Sequence, residues 1–218
     1  MNRRSLTTAW QAASLLLGYP DEDLLRRLDA IERATDGLPD RLGGPLRACV
    51  THLRETPLVE LEADYVDTFD TRRRHNLFLT YFAHGDTRKR GMALLRFKQT
   101  YLASGLELTD TELPDHLCVV LEYAATYDAE QGRQLLLDHR AGLELLRIAL
   151  AEAGSRWAGA IEAVTGTLPP LRGDEWEAIR RLAADGPPEE EVGLTPYSAG
   201  PTSLPMPSFP APSVGGVR

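Results

Sequence analysis

Apolar residues recur at helical spacing through the first 185 residues, and this pattern constrains the fold more than any other feature of the sequence. Leu6, Trp10, Ala13 and Leu17 fall on one face of a first helix, and stripes of the same kind follow along the chain. No run of alternating β-branched residues predicts a strand. The sequence therefore predicts an all-α protein, a single-domain bundle of about nine or ten helices around one shared core.

Local signals predict where individual helices begin and end. Asp21 is a suitable N-cap for a second helix, and the Gly-Gly-Pro string within 42–45 predicts a break before a short third helix. Thr56-Pro57 predicts the start of a helix that runs to about Asp70. Further helices are expected at 76–83, 86–104, 114–127 and 130–153, and around Trp157 and Trp176.

The composition changes abruptly after Asp185. The last 33 residues hold eight prolines and five glycines, and such a segment buries too little apolar surface to offset the entropy lost on ordering. The sequence thus predicts a helical domain at 1–185 and a disordered Pro/Gly/Ser-rich tail at 186–218.

Several classes of protein are disfavoured by what the sequence lacks. No apolar stretch approaches the roughly 18 residues that span a bilayer. The two cysteines, Cys49 and Cys118, form no CxxC and no cluster with histidine, so neither a disulfide scaffold nor a structural zinc site is expected. P-loop, GxSxG and HExxH motifs are missing as well, so we expect no catalytic residues, no metal and no permanently bound cofactor.

The N-terminus imitates an export signal. Arg3-Arg4 precedes an apolar stretch at 12–17. This stretch is six residues long and contains Ser14, whereas the apolar region of a signal peptide has about 7–15 residues. This stretch also lies on the face of the first predicted helix. We therefore expect a cytoplasmic protein.

Charge is distributed unevenly along the chain. The net charge is −8, yet the segment 71–98 holds eight Lys or Arg and one acid, so that it carries +7 and the rest of the chain −15. Two interpretations stay open: a basic binding surface, or neutralisation by the acidic helix that precedes it. The basic surface is represented by Arg72, Arg73, Arg88 and Arg90. An alternative function follows from the first interpretation, namely a helical regulatory module that binds nucleic acid through 71–98, although the negative net charge argues against it.

Aromatic pairs at i,i+4 spacing recur along the chain. They are Tyr65/Phe69, Phe78/Phe82, Phe97/Tyr101 and Tyr123/Tyr127. Such pairs are typical of a helical core, but they also suit a groove that receives an amphipathic helix. Asp64 and Asp67 flank Tyr65, and these acids would favour a cationic peptide in such a groove.

The most specific string is Leu113-Pro114-Asp115-His116. Pro114 suits the first turn of a helix, where an N–H is dispensable, and Asp115 would meet the positive end of the helix dipole. A helix start does not require His116, so this residue indicates a further role.

Three motifs together resemble one known family. They are Tyr65-Val66-x-Thr68-Phe69-Asp70 with Arg72-Arg73 and Leu79-Thr80-Tyr81; Gly85-Asp86-Thr87-Arg88-x-Arg90-Gly91-x-Ala93-Leu94-Leu95; and Leu113-Pro114-Asp115-His116 with Leu121-Glu122-Tyr123. In these strings, and over roughly 10–150, the sequence resembles the NarJ family, the delta-subunit chaperones of respiratory nitrate reductase.

The resemblance implies a helical fold shared with the TorD-like redox-enzyme maturation chaperones. It also implies binding to the N-terminal peptide of the apo catalytic alpha subunit and help with molybdenum cofactor insertion before membrane attachment. Transient contact with that cofactor, or with the proteins that make it, stays open, and nucleic acid is not an expected partner. The candidate client-binding residues are Tyr65, Phe69, Asp64, Asp67, Leu113, Pro114, Asp115, His116, Glu122 and Tyr123. Whether the Tyr65–Phe69 region or the 114–127 helix forms the groove is left undecided.

Overall fold

The computed structural model describes residues 2–109 and 112–186, and helices dominate this part of the chain. The α-helices are α1 Arg3–Leu16, α2 Glu22–Asp36, α3 Asp40–Glu55, α4 Leu58–Tyr65, α5 Tyr81–His84, α6 Arg88–Ala103, α7 Leu117–Thr126, α8 Ala129–Asp138, α9 Arg140–Glu152, α10 Ala158–Gly166 and α11 Gly173–Asp185. A π-helical turn, Val66–Asp70, continues α4, and a 3-10 turn follows at Arg73–His75. The prediction of an all-α bundle is confirmed. The tail predicted at 186–218 lies, apart from Gly186, outside the described residues.

Helix α1 lies at the centre of the core because nearly every position on one of its faces is apolar. It packs against α2, α3, α7 and α10. Trp10 is completely buried, and its indole Nε1 donates a hydrogen bond to Thr167 Oγ1 over 2.9 Å. At the start of α2, Asp21 Oδ1 accepts a hydrogen bond from Leu24 N at 2.7 Å, so the predicted N-cap is confirmed.

The break expected at 42–45 is wrong, since α3 runs straight through Pro45. A proline inside a helix removes one backbone hydrogen bond, and here the packing of α3 on both α2 and α10 outweighs that loss. Gly159 of α10 makes the second contact possible, because a Cβ at this position would overlap the carbonyl oxygen of Pro45.

Replacing Gly159 by alanine is therefore expected to lower the free energy of unfolding by about 1–3 kcal/mol, because α10 must move away from α3. Urea unfolding measures the effect. Gly91 is the matched control: it lies within α6 with nothing near its Cβ position, so Gly91→Ala should stabilise the protein by about 0.5–1 kcal/mol. Equal effects from the two substitutions would contradict this description of the contact.

Two further segments differ from the sequence prediction. The helix expected at 130–153 is divided into α8 and α9, because His139 Nδ1 donates to the carbonyl of Leu135 at 2.9 Å and takes the place of the backbone N–H. The helix expected at 76–83 is reduced to the single turn of α5. Before it the chain is extended and forms an isolated antiparallel bridge, Phe78 to His116.

Candidate functional site

The bridge joins two segments that are far apart in the sequence. Leu79 N donates to the carbonyl of Asp115 at 3.0 Å, and Leu117 N donates to the carbonyl of Leu77 at 2.8 Å. The two hydrogen bonds hold the extended segment 77–79 against the turn that leads into α7. They also bring the side chains of Thr80 and Asp115 together.

Asp115 forms the centre of a buried polar cluster. Its side chain is fully buried, and its Oδ2 accepts hydrogen bonds from Thr80 Oγ1 at 2.5 Å and from Thr80 N at 3.2 Å. Arg90 Nη2 lies 3.6 Å from the same oxygen. Asp115 therefore does not cap α7 as the sequence suggested. Helix α7 begins at Leu117 without a side-chain cap, and the carboxylate of Asp115 faces Arg90 and Thr80 instead.

Arg90 connects this cluster to the surface. Its Nε donates to Thr80 Oγ1 at 3.2 Å, and its Nη1 pairs with Asp86 Oδ1, also at 3.2 Å. The guanidinium carbon lies 5.1 Å from the centre of the Phe78 ring, a cation–π distance. Only 15% of the Arg90 side chain is exposed, so its assignment to a basic surface is corrected to a partner of the buried carboxylate.

His116 lies on the other side of Phe78. The two rings meet edge to face, with their centres 5.1 Å apart. Burial lowers the pKa of His116 below its usual value, while the carboxylates of Glu112 and Asp115 act in the opposite direction. The lowered pKa favours the neutral form of the imidazole.

Three polar atoms of this site have no hydrogen-bond partner among the described residues. They are Asp115 Oδ1, Arg90 Nη2 and His116 Nδ1. Buried polar atoms are almost always satisfied in folded proteins, so a polar partner, an ordered water molecule or a group of a client, is expected beside these three. Together they present a carboxylate acceptor, a guanidinium donor and an imidazole nitrogen.

Two tyrosines support the turn before α7. Tyr101 donates its hydroxyl proton to the carbonyl of Pro114 at 2.6 Å, and its ring lies 4.6 Å from that of Tyr123. The hydroxyl of Tyr123 in turn bonds Ser104 Oγ at 2.6 Å. Pro114 and Tyr123 are both buried, so they support the turn and are not open to a partner. Leu113 and Glu122 are exposed.

Tyr65 and Phe69 lie elsewhere, in a cluster of rings around Trp157. Phe69 and Tyr65 each have their ring centre 5.7 Å from that of Trp157, and the Tyr65 hydroxyl donates to the carbonyl of Leu17 at 2.9 Å. Both side chains are less than a tenth exposed. The rings therefore do not line an open groove, and their contact with a client stays a prediction that requires the cluster to open. Asp64 and Asp67 next to them are exposed.

The basic segment 71–98 is partly neutralised within the chain. Arg72 pairs with Asp67 at 2.8 Å, and Arg90 pairs with Asp86 and Asp115. Arg73 and Arg88 are exposed. Among the described residues, no group of His, Cys, Asp and Glu could hold a metal ion, and no helix is long and apolar enough to cross a membrane.

The polar cluster includes two residues that the sequence analysis did not select, Phe78 and Thr80. Thr80 occurs in one of the family-like strings, but no local pattern assigns it a partner 35 positions away. Phe78 was placed on a helix, where it would not have reached His116.

Three partly buried histidines predict a dependence of stability on pH. Burial lowers the pKa of His52, His116 and His139, so the unfolded chain binds more protons than the folded one once the pH falls below about 6.5. The free energy of unfolding should thus be highest above that pH and should decrease as the pH falls toward the lowered pKa values. Urea titrations at about pH 7.5 and 5.5 measure the difference, which should shrink in His116→Gln. Equal stability at both pH values would contradict the burial of these rings.

Comparison with known proteins finds a matching family model and several similar sequences. A family model described as nitrate reductase delta subunit matches residues 35–163. The chain is 42% identical over 159 residues to the nitrate reductase-like protein NarX of Mycobacterium tuberculosis. The matched region covers 72% of this chain but only 24% of NarX. The chain's identity to a probable nitrate reductase molybdenum cofactor assembly chaperone, NarJ of Bacillus subtilis, is 32%, over 77% of this chain and 92% of that protein. The NarJ chaperone of Escherichia coli is 34% identical over 66% of this chain and 63% of its own length.

The fold also occurs in a solved structure. A putative redox enzyme maturation protein from Archaeoglobus fulgidus superposes with a TM-score of 0.55 at 24% identity, over 72% of this chain and 90% of that one. The resemblance drawn from the sequence motifs is confirmed by these matches. The curated NarJ proteins are named as assembly chaperones, and the expectation that this chain is not an enzyme agrees with those names.

Proposed function

Because this chain belongs to the nitrate reductase delta-subunit family, we propose that it is a cytoplasmic chaperone that assembles a respiratory nitrate reductase. It binds the N-terminal peptide of the apo catalytic subunit and keeps that subunit accessible until the molybdenum cofactor has entered, before membrane attachment. The observation that carries the proposal is the family match over 35–163, a range that contains the whole Asp115 cluster. The chain itself performs no chemical step.

The client peptide is proposed to dock beside the Asp115 cluster. Leu113 is 43% exposed at its edge and offers an apolar contact, whereas His116 Nδ1 and Asp115 Oδ1 are buried and become polar contacts only when the turn before α7 opens. A neutral imidazole can donate or accept a hydrogen bond, and such a bond can be made with a client and later broken. The excess of acids outside 71–98 would attract a cationic peptide.

Calorimetric titration of the full chain with a synthetic peptide from the N-terminus of the catalytic subunit tests this proposal. Leu113→Ala and His116→Gln should each weaken binding by about tenfold, because each removes a contact to the peptide without removing a core side chain. Val59→Ala is the control, since Val59 is 76% exposed on α4 and lies outside the cluster. Failure of the unaltered chain to bind the peptide, or equal weakening by the control, would reject the proposed site.

The alternative of nucleic-acid binding has less support, because Arg72 and Arg90 pair with acids of the same chain. A gel shift at low salt decides the question: binding through phosphate contacts would be strong there and would fall steeply as salt is added. We expect no shift.

A further inference from the structure

Helix α6 carries an apolar stripe that faces solvent. Met92, Leu95 and Leu102 are 65%, 46% and 58% exposed, whereas Phe97 and Tyr101 on the opposite side of the same helix are nearly completely buried. Single exposed apolar residues are common, but three on one face of a 16-residue helix form a continuous strip about 15 Å long.

The stripe has the spacing of a coiled-coil seam. Met92, Leu95, Gln99 and Leu102 are separated by three, four and three positions, which is the alternation of heptad a and d positions over two heptads. Gln99 at an a position places one polar side chain in the seam, as is common where register or partner must be specified.

Cations occupy both edges of this seam. Lys89 and Arg96 fall at heptad e positions on one edge and Lys98 at a g position on the other, and all three are exposed. No acidic residue occurs anywhere in α6. Charges at e and g positions select the partner of a helix, because opposite charges across the seam attract and like charges repel.

We propose that this face of α6 is a docking surface for an amphipathic helix of another protein, with apolar residues at a and d and acidic residues at e and g. A second copy of this chain is disfavoured as the occupant, because its own α6 would set cations against cations. The cationic client peptide is disfavoured for the same reason, so this surface is separate from the proposed client site. A lipid surface is less suitable, since the stripe has no aromatic residue and contains Gln99.

Designed peptides test the surface on the full chain. One peptide of about 21 residues carries leucine at a and d and glutamate at e and g, and its partner differs only by lysine at e and g. Fluorescence anisotropy should show the acidic peptide binding at least about tenfold more tightly than the basic one, with a preference that weakens as salt is added.

Variants locate the binding on α6. Leu95→Gln should remove most of the affinity for the acidic peptide, and Arg96→Glu should reduce or reverse the preference between the two peptides by about tenfold. Arg27→Glu, an equally exposed charge reversal on α2, should leave both affinities unchanged. Binding of the client peptide should not respond to Arg96→Glu.

Three results would overturn the proposal. The first is equal affinity for the acidic and basic peptides. The second is binding of the full chain to vesicles of anionic phospholipid, lost in Leu95→Gln, without binding of either peptide. The third is binding of the acidic peptide only after Glu189, Glu190 and Glu191 are all replaced by Gln, which would assign the surface to the chain's own C-terminal segment.

Discussion

Replacing Asp115 by alanine is expected to lower the free energy of unfolding by about 3–5 kcal/mol, because it removes one partner from a buried ion pair. Asp115 is fully buried, and its loss would leave Thr80 N without an acceptor and Arg90 without its inner counter-charge. Chemical denaturation of the purified variant measures the change.

Asp86 provides the matched control for this prediction. It pairs with the same guanidinium, but its side chain is 80% exposed, so Asp86→Ala should cost about 0.2–1 kcal/mol. Similar losses for the two variants would mean that the buried half of the Arg90 network does not stabilise the fold. A functional defect of an Asp115 variant must accordingly be measured against its folded fraction, whereas His116→Gln is the cleaner test of client contact.

Replacing Phe69 by alanine is expected to cost about 3–5 kcal/mol as well, because a buried aromatic ring is removed from the cluster around Trp157. Val66 lies on the same π-helical turn but is 40% exposed, so Val66→Ala should change stability by about 0.5 kcal/mol or less. Denaturant titration of both variants measures the contrast. A stable Phe69→Ala protein that has lost peptide binding would return Phe69 to the client groove.

Features encoded within one or two helical turns could be predicted from the sequence. The stripe that contains Trp10 lies in α1, Asp21 caps α2, and the helix expected at 86–104 ends at Ala103. Each of these signals depends on neighbours a few positions away, and at these three positions tertiary packing agrees with the local preference.

Several of the features that failed depend on distant partners. The segment around Phe78 has a helical sequence pattern but is extended, because it forms the bridge to His116. The Asp115 carboxylate accepts a hydrogen bond from Thr80 and does not cap α7. The spacing of Tyr65 and Phe69 is typical of a core but also suits a groove, and the contacts with Trp157 show that the rings are buried. The family motifs identified Asp115 and His116 as candidate site residues. They could not predict that these residues contact Thr80 and Phe78, because a motif identifies residues and not their contacts.

The molybdenum content of the client shows whether this chain acts as an assembly chaperone. The catalytic subunit of the nitrate reductase is produced with this chain, without it, and with the His116→Gln variant at the same level of folded protein, and molybdenum per purified subunit is then measured. We expect high loading with the unaltered chain, low loading without it, and reduced loading with the variant. Equal molybdenum content with and without the chain would contradict the assignment as an assembly chaperone.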